Sequence, residues 1–291
     1  MRRLLVVLAA AAVAGGGVLL ALASSGAAPL RANRFDAPAA MKLIRLQVSF
    51  GQRPAGSPQL RALAVRLRPL LPHGRFAAIP GEPTLRNIVG YIAGRAPAIV
   101  LGAHYDTLAS PKGFVGANNG AAGTAIVIEV ARALARMHRP AGAPALRFVL
   151  FDGEEPAQGL PEQQADFYDT GLRGSRADAA AHAAATRAML LLDYVANRGL
   201  RLPREASSNT ALWAKVRAAA LRVGAGAVFP DRTGPDIIDD HTPFERAGVP
   251  AVDFIDWSYD GHSLSDGLDR LSPAAADAVG ETVVELLRTW R

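Results

Sequence analysis

None of the 291 residues is a cysteine. That excludes disulfides, a thiolate zinc site and a cysteine nucleophile, and leaves histidine, aspartate and glutamate as the charged metal-binding side chains. A basic block is also missing. The formal charge of +6 falls to +4 once Arg2 and Arg3 are set aside, and the other arginines are spread along the chain. Nothing therefore marks a nucleic-acid surface, and no nucleic-acid partner is expected. There is no internal repeat and no compositional break that demands a second domain. With 50% hydrophobic and 20% charged residues, the chain reads as folded, and its length suits one large domain with an extensive core.

What is present begins at the N-terminus. Met1-Arg-Arg precedes an uncharged apolar run over residues 4–23. This run is as long as a membrane span and long for a signal-peptide core. Either role sends the remainder out of the cytoplasm, secreted or held to the membrane by a single segment. The expected organisation is an anchor or signal segment at 1–28, a linker at 29–35 and a folded domain at 36–291.

Hydrophobic periodicity predicts helices over residues 38–48, 58–71, 121–137, 207–223 and 273–290, and strands over 76–79, 87–92, 99–103, 147–151, 189–193 and 249–255. This alternation implies an α/β fold with a central mixed, mainly parallel sheet flanked by helices. Two Gly/Pro-punctuated or polar loops, 110–120 and 156–173, would overhang one sheet edge.

Chemistry-bearing residues collect at strand ends. Phe148-Val-Leu-Phe-Asp-Gly-Glu-Glu-Pro156 places Glu154 and Glu155 directly after an apolar run, where open α/β sheets deliver ligand-binding groups. One carboxylate of such a pair can bind a metal while its neighbour moves protons. His104 and Asp106 close the run at 99–103, Asp193 closes 189–193, and Asp239-Asp240-His241 and His262 follow later. A single aspartate closing a strand is usually a turn or cap residue. Five such segments converging on one edge suggest a site. His241 and His182 read as structural or exposed, and Trp257 and Tyr259 as packing groups.

From Gln52 to the C-terminus these segments resemble the M28 zinc peptidases and their relatives, the glutaminyl-peptide cyclotransferases. The motifs carrying the resemblance are Arg53-Pro-Ala-Gly-Ser57, His104-Tyr-Asp106, Gly116-Ala-Asn-Asn-Gly-Ala-Ala-Gly123, Phe151-Asp-Gly-Glu-Glu155, Gly171-Leu-Arg-Gly-Ser175, Asp239-Asp-His-Thr-Pro-Phe244 and His262-Ser-Leu-Ser-Asp266. The resemblance implies a single zinc-exopeptidase-like domain. It also implies Glu154 as general base and acid, with Asp193 and Asp239 as acidic partners around it. Glu155, His262 and position 119 would be the metal ligands, while His104, Asp106 and Asp240 would orient ligands or serve a second metal.

Three departures stand out. Asn119 occupies the position of a ligand aspartate; its neutral amide makes a poor bridge between two cations, which implies one zinc ion per chain. Gly261 replaces a tryptophan before the ligand histidine, and Asp253 replaces a histidine found in many animal enzymes. The expected activity is conversion of the N-terminal glutamine of peptides or proteins to pyroglutamate with loss of ammonia. An M28-type aminopeptidase is the alternative, and an inactive surface peptide-binding homologue is a third reading that Asn119 supports.

Overall fold

The computed structural model describes residues 30–157, 160 and 164–291. The apolar run at 4–23 lies outside these residues, and no described helix is long and apolar enough to cross a membrane.

Local chemistry sets where the helices begin. The Asp36 carboxylate accepts from Ala39 N at the start of α1 (Ala37–Val48), with a proline in its first turn. Ser57 accepts from Leu60 N ahead of α2 (Pro58–Leu67), and the chain then tightens into a 3₁₀ turn at Arg68–Leu70. Such caps satisfy backbone N–H groups that the helix itself leaves without acceptors.

The six strands are β1 (Arg75–Ile79), β2 (Glu82–Ile92), β3 (Arg95–His104), β4 (Pro144–Phe151), β5 (Thr186–Asp193) and β6 (Ala251–Ile255). They form one sheet in the order β1-β2-β4-β3-β5-β6. The pairs β4–β3, β3–β5 and β5–β6 are parallel, whereas β1–β2 and β2–β4 are antiparallel. The expected mixed, mainly parallel sheet is therefore present. The carboxyl ends of β3, β4, β5 and β6 share one edge, and that edge carries His104, the Glu154-Glu155 turn, Asp193 and the chain leading to Trp257 and His262.

Helix α3 (Ala121–Ala135) packs against the sheet and is buried over most of its length. Gly123 permits the close approach, because a Cβ there would lie 2.2 Å from the Leu192 carbonyl oxygen. The main apolar core lies between the sheet and α1, α3, α6 (Thr210–Val223) and α8 (Pro273–Thr289). A smaller cluster under the other face joins Val89, Val149, Phe151, Met189 and Phe244, the last from α7 (Thr242–Arg246). Residues ahead of α1 also dock: Arg31 N donates to the Val223 carbonyl, Phe35 N donates to Glu281, and the Phe35 ring sits over Gly280.

Several boundaries differ from the sequence expectation. The expected loop at 156–173 contains a helix, α4 (Gln164–Thr170), and α5 (Arg173–His182) follows it where no helix was expected. α5 has too many small and polar residues for a clear apolar stripe; it is held by tertiary contacts such as Asn87 Nδ2 to the Gly174 carbonyl. β2 begins five residues early because its first residues pair back onto β1, with Glu82 opposite Ile79. α6 starts at Thr210 rather than 207 because Asn209 caps it through Leu212 N.

Candidate active site

The Glu154-Glu155 turn is shaped by its neighbours. Gly153 adopts φ 75°, and a Cβ there would meet Leu85 Cδ2 at 2.6 Å and Arg173 Nε at 2.9 Å. Asp152 faces away from the site, with Oδ2 accepting from Arg86 N and the Tyr105 hydroxyl. Burial, then nearby Asp106, push its carboxyl up to about 7. The turn is gripped from beneath by Asp106, whose two carboxylate oxygens accept from Glu154 N at 3.3 Å and Glu155 N at 3.2 Å. Asp106 thus positions the pair.

His104, at the end of β3, is buried among three carboxylates. Its Nδ1 lies 3.4 Å from both Asp106 Oδ1 and Glu154 Oε2, and its Nε2 lies 3.4 Å from Asp193 Oδ1. These are charge contacts, since neither nitrogen meets hydrogen-bond geometry. Burial alone would lower the imidazole pKa, but Glu154, Asp106 and Asp193 outweigh it and raise it well above its usual value. Both ring nitrogens of His104 thus face carboxylates of the acidic cluster.

The acids share a crowded, dry setting. Burial, then Glu155, raise Glu154 well above the usual carboxylate range. Burial pushes Glu155 up to about 8 against the lowering effect of His104 and Asn119. Asp239 is pushed up to about 6 by burial and Asp193. Asp240 is fully buried, rises through burial and its neighbour Asp239, and donates its backbone N–H to Asp239 Oδ1. Like charges this close oppose one another's ionisation.

Asn119 is held from both sides. The Asp266 carboxylate accepts from Asn118 N at 2.8 Å and Asn119 N at 2.9 Å, and the fully buried Arg53 pins the preceding Val115 and Gly116 carbonyls. The Asn119 side chain donates Nδ2 to Glu155 Oε1 at 2.9 Å, with the Gly261 carbonyl at 3.3 Å and the Tyr194 hydroxyl at 3.4 Å.

A cavity of about 140 Å³ opens beside these groups. Glu154, Asp193, Asp239 and His262 line it together, along with Phe167, Tyr194, Ile237, Ile255 and Trp257. His262 is exposed, its ring edge-on to Tyr194 at 6.1 Å and to Trp257 at 6.3 Å between centroids. Tyr194 stacks on Trp257 at 6.2 Å, which makes both site walls as well as packing groups. Gly261 also finds a reason here: a Cβ would lie 2.4 Å from Tyr194 Cζ. The Tyr194 ring takes the space that a side chain at 261 would need.

Of the expected residues, Glu154, Asp193, Asp239 and His262 meet at the cavity, Glu155 and Asn119 meet each other, and His104 and Asp106 support Glu154. Asp240 stands behind Asp239 and does not line the cavity. Sequence reasoning missed Tyr194, Phe167 and Ile237 as cavity residues. Tyr194 follows a strand aspartate and adopts φ 48°, a left-handed backbone that no local pattern announces. His241 is structural and buried, not exposed: Nε2 lies 3.1 Å from Ser207 Oγ and 3.5 Å from Glu205 Oε2.

Donor chemistry tests the fit to a metal. Among the described residues, no three His, Asp or Glu side chains are grouped so as to hold one. A site on Glu155 and His262 would then need the Asn119 carbonyl as its third donor. Glu155 Oε2 and Asn119 Oδ1 are both buried acceptors without a hydrogen-bond partner, the condition of oxygens suited to a cation. One carboxylate, one amide oxygen and one imidazole suit a single ion. The neutral amide makes a poor bridge for a second.

The comparisons with known proteins agree with this architecture. The chain is similar to a Porphyromonas gingivalis glutaminyl cyclase structure at 27% identity and a TM-score of 0.75, covering 88% of this chain and 99% of that one. An Acidobacteriales bacterium glutaminyl cyclase is similar at 27% identity and a TM-score of 0.74, over 90% and 97%. A leucine aminopeptidase precursor from Bacteroides thetaiotaomicron is similar at 25% identity and a TM-score of 0.76, over 90% and 100%. No curated protein matches the sequence. Residues 87–287 match the model of peptidase family M28, and the chain belongs to that family.

Proposed function

We propose that the chain is a glutaminyl-peptide cyclotransferase-like enzyme that closes the N-terminal glutamine of peptides into pyroglutamate with release of ammonia. The observation that carries this reading is Asn119 bonded to Glu155. A two-metal peptidase needs a bridging anion, and the amide is neutral. The similarity to glutaminyl cyclase structures at 27% identity supports the same conclusion.

Glu154 is the proton carrier. In cyclisation the α-amino nitrogen attacks the glutamine side-chain carbonyl carbon, forming one C–N bond as the bond to the amide nitrogen breaks. Glu154 accepts the proton shed by the amine and hands it to the departing nitrogen, which leaves as ammonia. Its raised proton affinity suits the second half of this transfer. Asp193 and Asp239 face the same cavity, while the neighbouring His104 ring favours the ionised form of Glu154. Trp257, Tyr194, Phe167 and Ile237 offer apolar walls for the glutamine methylenes and exclude competing water.

Glu155, Asn119 and His262 would hold one zinc ion, which when bound would polarise the substrate carbonyl as a Lewis acid. The apolar run at 4–23 supports an extracytoplasmic location, anchored or secreted, where peptide and protein N-termini are the substrates.

Incubation with a Gln-initiated peptide tests the assignment. Ammonia and a product lighter by one ammonia are expected. Release of free N-terminal glutamine would instead establish the aminopeptidase, the reading favoured by the similarity to the leucine aminopeptidase precursor.

A further inference from the structure

A second cavity, of about 330 Å³, lies across Ile255 and Trp257 from the first, both residues lining the two spaces. Arg201 and Arg232 line it, together with Thr233, Ser258, Glu205 and Asp256. Its charges are unevenly committed. Glu205 is buried and accepts from Ser207, Ser208 and the Ile237 N–H. Asp256 is buried and accepts from Asn197 Nδ2, Arg201 N and Ser258. Both carboxylates are thus engaged by donors of the protein itself. The two guanidiniums are exposed and, among the described residues, neither belongs to an ion pair; Arg201 Nη1 meets only the Leu200 carbonyl, at 2.9 Å.

The rim is also pre-ordered. Arg204 N donates to the Arg232 carbonyl, Gly234 N to the Arg204 carbonyl and Ala206 N to the Pro235 carbonyl, tying the two cavity-forming segments together. A guanidinium with uncommitted donors on a rigid wall is suited to planar, bidentate recognition of a carboxylate.

We propose that this cavity is a specificity subsite for an acidic residue placed downstream of the N-terminal residue. The proposal rests on the cyclotransferase reading for the direction of the chain: with the first residue beside Glu154, the peptide leaves past Trp257. Extended chain advances about 3.5 Å per residue, so crossing the indole brings the second or third residue to Arg201 and Arg232.

The test compares amidated peptides Gln-Ala-Glu-Ala, Gln-Ala-Ala-Ala and Gln-Ala-Lys-Ala by initial rates of ammonia release. Wild type should favour the glutamate peptide over the lysine peptide by roughly fivefold or more in kcat/KM, mostly through KM and diminishing with salt. In Arg232→Glu that ratio should invert, and Arg201→Gln should reduce it. Equal kcat/KM for the three peptides, or a wild-type ratio that survives in both variants, overturns the subsite. Absence of ammonia from every peptide overturns cyclisation instead. Calorimetric titration of the same peptides then decides the subsite separately: an acid preference lost in Arg232→Glu upholds it, and equal affinities overturn it.

Discussion

The side-chain amide of Asn119 donates to Glu155 Oε1 across 2.9 Å, so the residue that replaces an expected carboxylate is a hydrogen-bond donor to its neighbour in the site. Exchanging the amide for a carboxylate reverses that interaction. Asn119→Asp should bind zinc roughly tenfold more tightly or better, about 1.4 kcal/mol, because a second anionic oxygen joins Glu155. The metal-free variant should melt lower than metal-free wild type, since two buried carboxylates would then face each other. Competition with a chromophoric chelator reads the first effect and calorimetry the second. Unchanged zinc affinity would remove position 119 from the ligand set.

Glu154→Gln preserves shape and removes the proton carrier. Ammonia release from a Gln-peptide should fall by roughly 10² to 10⁴-fold, with the circular dichroism spectrum and zinc content retained. Activity within a few-fold of wild type would transfer the acid-base role elsewhere, first to Asp239.

Gly261→Ala places a methyl group against Tyr194, where the added carbon would lie 2.4 Å from Cζ. Overpacking of this kind costs about 1–3 kcal/mol, and the displaced ring should disturb the wall formed with Trp257, raising KM more than it lowers kcat. Tyr194→Ala in the same chain should relieve the stability loss. A double-mutant cycle by urea unfolding would show additivity if the two residues did not meet.

Glu205 supplies a pH dependence well separated from the acids around Glu154. Burial alone would raise its pKa, but hydrogen bonds from His241, Ser207 and Ser208 bring it to about 2. A carboxylate depressed in the folded state adds stability above its unfolded value, near 4.5, and that contribution disappears as pH falls from 4.5 toward 2. Wild type should therefore exceed Glu205→Gln in unfolding free energy at pH 6, and the gap should narrow steadily below pH 4.5. A gap independent of pH over that window would show that the charge of Glu205 contributes nothing.

Much of this protein was legible in the linear chain because its site is built at the ends of buried strands. An apolar run such as 147–151 has to be covered on both faces, and the polar residues that follow it must emerge at the sheet edge; this holds for His104, Glu154 and Asp193 alike. Asn119 was equally visible, since a change of residue type alters available charge whatever the fold. α4 and α5 were not visible, because both are short, and α5 is stabilised by contacts with β2 and the Glu154 turn. Nor were the direction of the Asn119 amide, the left-handed turn at Tyr194 beside Gly261, or the sharing of one cavity by Arg201 and Arg232 behind Trp257. Periodicity and strand-end chemistry are local, and this sequence determined them alone; which donor faces which acceptor depends on groups brought together from distant segments, and only the folded sheet and its loops decided that.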